Sequence, residues 1–180
     1  MILAYIGNGK GKTSAALGNV FRALGHGWRV LIIQFMKGDW PILFGELESA
    51  KRHRKLEVLQ LGRGFVKIMG DKKPLSQHKG AAANALEFAK KKILSGKYDL
   101  VVLDEVLYTL ETADVRLVSI ERLLEIMKIT PKKTHLVLTG RINNLKMKKQ
   151  IIRAADLVTE MKEIKHPYKK GIPAQKGIDY

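Results

Sequence analysis

The chain has 180 residues, of which 46% are hydrophobic and 28% charged, the make-up of a globular protein with one full core rather than of a disordered or fibrous chain. It contains no cysteine, which excludes disulfides, thiolate nucleophiles and cysteine-held metal clusters and leads us to expect a reducing, cytoplasmic setting. Against 17 Asp and Glu stand 33 Lys and Arg, a formal charge of +16 that favours an anionic substrate or an acidic partner.

The elements follow in chain order as apolar runs of strand length alternating with segments of helical period. Ile2–Ile6 reads as a short apolar strand, and a glycine-rich turn follows at once. Thr13–Leu24 reads as a helix stopped by Gly25 and Gly27. Arg29–Phe35 is a β-branched second strand, Leu56–Leu61 a weaker third, and Gly62–Leu75 a long loop. In the segment Gln77–Leu94, Ala82, Leu86, Ala89 and Ile93 recur at helical spacing. Leu100–Leu103 is a strand of the fully buried kind, and Leu117, Ile120, Leu124 and Met127 line one face of the next helix. His135–Thr139 is a strand, Asn143–Ala154 a helix, Leu157–Met161 a last strand, and 165–180 a tail without a period. No repeat or linker divides the chain, so residues 1–180 are expected to form one domain.

The basic residues fall in scattered clusters, such as KRHRK at 51–55 and KKK at 90–92, with no aromatic residues between them. Base stacking needs that interleaving, so no nucleic-acid partner is expected. Apolar runs such as VLII and LVVL fall far short of the ~20 residues of a membrane helix. The N-terminus has no basic segment ahead of its apolar run, so neither a membrane partner nor a signal peptide is expected.

Strands alternating with helices imply an α/β fold with a mostly parallel sheet, whose ligands sit beyond the carboxyl ends of the strands. The residues just after each strand should therefore converge: Gly7–Thr13, Gln34–Gly38, Leu61–Phe65, Asp104–Glu105 and Thr139–Arg141.

The first of these, GNGKGKTS at 7–14, resembles a phosphate-binding loop one residue short of the usual G-x-x-x-x-G-K-[ST]. Gly7, Asn8, Gly9, Lys10 and Gly11 can turn backbone N–H groups toward anionic oxygens, and the helix that follows adds its positive end. Lys12 can neutralise terminal phosphates, and the Thr13 hydroxyl, with Ser14 beside it, can face a nucleotide-bound Mg²⁺. In VVLDE, 101–105, a carboxylate stands at a strand tip, where Asp104 or Glu105 can ligate that Mg²⁺ directly or through water. In LTGR, 138–141, Arg141 can meet charge on a leaving group. The five histidines have no zinc-ligand spacing. These residues describe a MgATP- or MgGTP-binding protein without identifying its acceptor, and a P-loop ATPase or small-molecule kinase remains the alternative.

GNGKGKTSAALG, RALGHG (22–27), QFMKGDWP (34–41), GRGF (62–65), VVLDE, LTGR and the tail KHPYKKGIPAQKGIDY together resemble the P-loop ATP:corrinoid adenosyltransferases, in order and over essentially the whole chain. The shortened loop is itself a mark of that family. The resemblance implies a single-domain P-loop NTPase-like (RecA-like) α/β fold. It implies transfer of the 5′-deoxyadenosyl group of MgATP to the Co(I) of a corrinoid such as cobalamin, with tripolyphosphate as leaving group, in adenosylcobalamin synthesis or salvage. Lys12, Glu105 and Arg141 would be catalytic, the loop residues with Arg22 and Phe65 would bind nucleotide and corrinoid, and Thr13, Asp104 and Glu105 would hold the metal. It further implies a reduced flavoprotein as electron donor and a homodimer.

Two positions depart from the family. Phe65 stands where one aromatic of the corrinoid face belongs, but two residues on, where a tryptophan is frequent, this chain has Lys67; Ile68 or Met69 is the expected apolar substitute. Family members often carry a polar helical arm before the first strand, whereas this sequence begins at the strand. Either looser corrinoid binding or closure by another segment is therefore expected, and the tail, with His166, Tyr168 and residues 174–180, is the candidate to help line the site.

Overall fold

A computed structural model describes residues 1–39, 43–68, 70–113 and 115–180. Trp40, Pro41 and Met69, invoked above, lie outside the described residues.

Six strands form one sheet in the order β3-β2-β4-β5-β1-β6: β1 (Ile2–Ile6), β2 (Val30–Gln34), β3 (Leu56–Gln60), β4 (Leu100–Asp104), β5 (His135–Gly140) and β6 (Leu157–Glu160). Every pairing is parallel. The described helices are α1 (Lys12–Gly25), α2 (Gly45–Arg52), α3 (Leu75–Leu94), α4 (Ile120–Ile129) and α5 (Leu145–Ala154). None of them is long and apolar enough to cross a membrane.

The all-parallel sheet explains why its inner strands are continuous apolar runs. Both faces are covered, so alternate residues of one strand enter different cores. In β2, Val30 and Ile32 join Ala16, Val20 and Ala23 of α1 on one face. Leu31 and Ile33 join residues of α3, α4 and α5 on the other. All five residues of β2 and of β4 are buried, whereas β6 at the sheet edge is mostly exposed.

Helix α2 is the element that sequence periodicity did not reveal. It buries no residue, and its order comes from Glu46 and Glu48 in the first turn and Lys51 and Arg52 in the last. That charge arrangement complements the helix dipole. Acid at one end and base at the other was the available signal.

Strand β5 lies between β1 and β4, so the phosphate loop after β1 and the acidic tip of β4 are separated by one strand's width. The loops after β2 and β3 are in tight contact: a Cβ on Gly38 would lie 1.7 Å from the Gly62 carbonyl oxygen, and one on Gly62 would lie 1.7 Å from that of Phe35. Two glycines are what allow these backbones to meet.

Candidate active site

The shortened loop is shaped by what it rests on. A Cβ on Gly7 would sit 2.3 Å from the Met161 carbonyl oxygen, and one on Gly9 would sit 2.7 Å from the Lys162 carbonyl carbon. The Gly9 N–H donates to the Met161 carbonyl at 2.8 Å. The loop is thus closed down on the chain leaving β6. Gly7 and Gly11 hold φ of 104° and 106°, a left-handed region that other residues enter only with strain. Gly11 caps α1 without a side-chain hydrogen bond, and the first turn of α1 carries no acid. A helix N-terminus so built favours an anion.

Lys12 is 6% exposed and folds back into the loop, its Nζ donating to the Gly9 carbonyl at 2.7 Å. Burial lowers its pKa; Arg141 acts in the same direction, and Glu105 and Asp104 act against it. Thr13 Oγ1 donates to Asp104 Oδ1 at 2.8 Å, and Thr139 Oγ1 donates to the same oxygen at 2.8 Å. The Glu105 N–H donates to Thr139 Oγ1 at 2.8 Å. Loop, β4 and β5 are therefore joined through one carboxylate.

The two acids of β4 differ sharply. Asp104 is 1% exposed, and Lys37 Nζ lies 3.3 Å from its second oxygen. Glu105 takes a left-handed φ of 59°, which turns it off the strand line and leaves it partly accessible. Burial and then the neighbouring Asp104 push its pKa up to about 7, against the pull of Lys12, Lys37 and Arg141.

A polar chain that adds Glu46 and Gln60 to the expected Gln34 and Lys37 continues beyond Asp104. Lys37 Nζ is 3.0 Å from Glu46 Oε1, Gln34 Nε2 donates to the same oxygen at 2.7 Å, and Gln60 Nε2 donates to Gln34 Oε1 at 2.9 Å. Burial opposes the charge on Lys37, but Asp104 and Glu46 outweigh it and raise its pKa. Burial likewise opposes ionisation of Glu46, and Lys37 outweighs it to lower that pKa. Glu46 belongs to α2, so no sequence pattern pointed to it. Lys37 was visible only as a residue following a strand.

Lys10 projects from the loop and forms an ion pair with Asp179 of the tail. Burial and then Lys37 lower its pKa. The backbone of Tyr180 comes within 3.9 Å of a Cβ placed on Gly45, so the last residues of the chain lie beside the phosphate loop and the start of α2. Of the tail residues named from sequence, His166 receives the Tyr168 N–H at 3.2 Å in a local turn, and Tyr168 is 77% exposed.

The Phe65 ring stands edge-on to Tyr108 at 5.6 Å between centroids, and Tyr108 lies in the 3-10 turn Leu107–Leu110 that follows Glu105. This aromatic neighbour carried no sequence signal. Asn8, Ser14 and Arg141 are exposed at or beside the loop edge. Arg22 is not brought to this place: it is exposed in the last turn of α1, and ten residues at 1.5 Å each put it roughly 15 Å along the helix from Lys12.

The donors around Thr13 are all oxygens, a hydroxyl and two carboxylates. Mg²⁺ takes such hard ligands sparingly and fills the remainder with water and phosphate. No group of three or more His, Cys, Asp or Glu that could cage an ion by itself exists among the described residues. This set fits a nucleotide-borne cation rather than a protein-held one.

Comparison with known proteins gives the family. The family described as ATP:corrinoid adenosyltransferase BtuR/CobO/CobP matches residues 1–180. A corrinoid adenosyltransferase of Sinorhizobium sp. is 36% identical over all of this chain and 80% of its own length. The Escherichia coli K12 enzyme of that name is 33% identical over all of this chain and 85% of its own length. Corrinoid adenosyltransferase CobA of Salmonella typhimurium is 32% identical, with coverage of 100% and 85%. Among solved structures, flagellar accessory protein FlaH of Methanocaldococcus jannaschii superposes with a TM-score of 0.57 at 13% identity, covering 88% of this chain and 69% of that one, a likeness of fold. The expected P-loop NTPase-like α/β fold is the fold observed.

Proposed function

Because the chain belongs to the ATP:corrinoid adenosyltransferases, enzymes that use ATP to adenosylate a corrinoid, we propose that its site releases intact tripolyphosphate in that reaction. In the step so described, the electron pair of Co(I) forms the bond to C5′ as the C5′–O bond breaks. Cobalt is the nucleophile and belongs to the substrate, so the protein's tasks are positioning and charge stabilisation.

The observation that carries the reading is the junction of Thr13, Thr139 and Asp104 on one carboxylate oxygen. By donating its proton to Asp104, Thr13 keeps its lone pairs for a cation on the other side. In this reading Asp104 orients, and Glu105, turned outward by its backbone, is the carboxylate that meets Mg²⁺. Bound with the nucleotide, Mg²⁺ would neutralise part of the charge that develops on the departing phosphates. Gly7, Asn8, Lys10, Gly11, Lys12, Thr13 and Ser14 cradle the phosphate chain, Gly9 shapes the loop with its N–H held by the Met161 carbonyl, and Arg141 faces its far end. Phe65 belongs to the acceptor face. Arg22, on the remote end of α1, acts outside this cluster.

We also infer a homodimer and a reduced flavoprotein donor; the +16 charge suits an acidic partner of that kind. A chain without cysteine suits a reducing cytoplasm.

The deciding experiment is anaerobic incubation with MgATP and chemically reduced cobalamin, with both products analysed. Equal amounts of a light-sensitive adenosylated corrinoid and tripolyphosphate are expected. ADP and phosphate beside unchanged corrinoid would overturn the reading in favour of phosphoryl transfer.

A further inference from the structure

The loop between β3 and α3 is pinned by a buried histidine and a half-buried carboxylate that nucleotide chemistry does not use. His78, in the first turn of α3, is 2% exposed. Its Nε2 lies 3.0 Å from Asp71 Oδ2. That same oxygen accepts the Lys67 N–H at 3.0 Å, and Asp71 Oδ1 accepts the Lys73 N–H at 3.3 Å. The Asp71 N–H in turn donates to the Ile68 carbonyl at 3.1 Å. One side chain thus closes the loop on itself and ties it to a helix.

What is closed is a strained turn. Lys67 has a φ of 57°, a conformation that a residue with a Cβ keeps only where its surroundings impose it. Upstream, Val66 is buried at 2% exposure and Phe65 meets Tyr108 edge-on. Downstream of the left-handed residue, Ile68 is 45% exposed. The turn therefore separates an inward anchor from an outward apolar side chain at the strand ends where the site lies. The Lys67 N–H bond lowers the pKa of Asp71 first among its causes, with Lys73 and His78 adding to it, so the ionised carboxylate is the form that holds the turn. A second tie runs through Asp39, which pairs with Arg63 at 3.0 Å and stands 4.0 Å from Lys73 Nζ.

We propose that Asp71 and His78 are positioning residues of the acceptor site, forming a clasp that presents the turn at Phe65–Ile68 in one preformed shape to the corrinoid. The inference rests on the adenosyltransferase reading. It differs from a helix-capping role in what it predicts: capping affects stability alone, whereas the clasp affects one substrate and not the other.

His78→Leu removes the donor while keeping an apolar bulk, and His78→Gln retains an N–H near the position of Nε2. In the full chain with reduced cobalamin, His78→Leu should raise the corrinoid KM by at least about tenfold, the scale of a small misplacement. Its KM for MgATP should stay within about twofold. His78→Gln should recover most of the loss. In the free protein, trypsin should cut after Lys67 faster in His78→Leu and in Asp71→Asn than in wild type. If His78→Leu does not fold, Asp71→Asn carries the same comparison of KM values. Unchanged corrinoid KM, or equal losses toward both substrates, overturns the clasp. A wild-type protein that makes no adenosylated corrinoid overturns the underlying reading instead.

Discussion

Thr13 of the phosphate loop donates to Asp104 at the tip of β4 at 2.8 Å across 91 residues of sequence. The bond makes the loop and the acidic strand end one rigid unit before any nucleotide arrives. Preorganisation of this kind is where electrostatic catalysis gets its strength, because the protein does not rearrange as charge develops.

Removal of members of that unit should affect rate far more than fold. Lys12→Ala, Thr13→Val and Glu105→Ala should each lower kcat/KM for adenosylation by about a hundredfold or more, with circular dichroism unchanged. Rates near wild type in both Lys12→Ala and Glu105→Ala would show that the site lies elsewhere.

Glu105 should leave a mark on stability. Its pKa rises on folding from 4.5 to about 7, so the folded chain retains a proton that the unfolded chain has released. Between those values the unfolded state binds fewer protons, and the ligand-free protein loses stability as pH rises from about 4.5 to about 7. The shift corresponds to roughly 3 kcal/mol at most. Urea unfolding of wild type and Glu105→Gln at about pH 5 and about pH 8 should show a smaller decline in the variant. Parallel profiles would remove the claim.

Asp179 places a carboxylate on Lys10, a cation that the proposed function assigns to the phosphate chain. With that competitor neutralised, Asp179→Asn should bind MgATP about two- to fivefold more tightly by calorimetry, the scale of a partly exposed ion pair. Added salt should narrow the difference. Weaker binding in the variant would mean that the tail carboxylate supports the nucleotide site.

Phe65, edge-on to Tyr108, should matter most when cobalt must first be reduced. Phe65→Ala should depress turnover from Co(II) corrinoid with a reduced flavoprotein more than turnover from chemically prepared Co(I). Equal losses in the two assays would reduce Phe65 to a packing residue.

Gly38→Ala tests the contact between the loops after β2 and β3. A methyl group 1.7 Å from the Gly62 carbonyl oxygen forces backbone displacement, at a cost of about 1–3 kcal/mol or more. Thermal unfolding should fall by at least several degrees for a chain of this size, and an unchanged Tm would contradict the contact.

Local pattern was enough to place the phosphate loop, the six strands and the acid at the end of β4. Each is encoded by neighbours in sequence: glycine spacing, β-branched apolar runs, and a carboxylate at the point where such a run stops. The parallel sheet followed, because strands alternating with helices can return only by crossover. Helix α2 escaped because it buries no residue and so leaves no apolar period.

The different surroundings of Asp104 and Glu105 are visible only in the tertiary structure. Both are acids at one strand tip, and the sheet brings Thr13, Thr139 and Lys37 onto the first, while the second takes a left-handed φ of 59°. The same holds for Glu46 on Lys37, Tyr108 on Phe65, His78 on Asp71 and Asp179 on Lys10. Partners of this kind repeat with no period and follow no local rule. Tyr108 and Phe65, and Asp179 and Lys10, meet because the fold brings distant segments together; Glu46 and Lys37, and His78 and Asp71, meet across loops whose course local pattern does not encode.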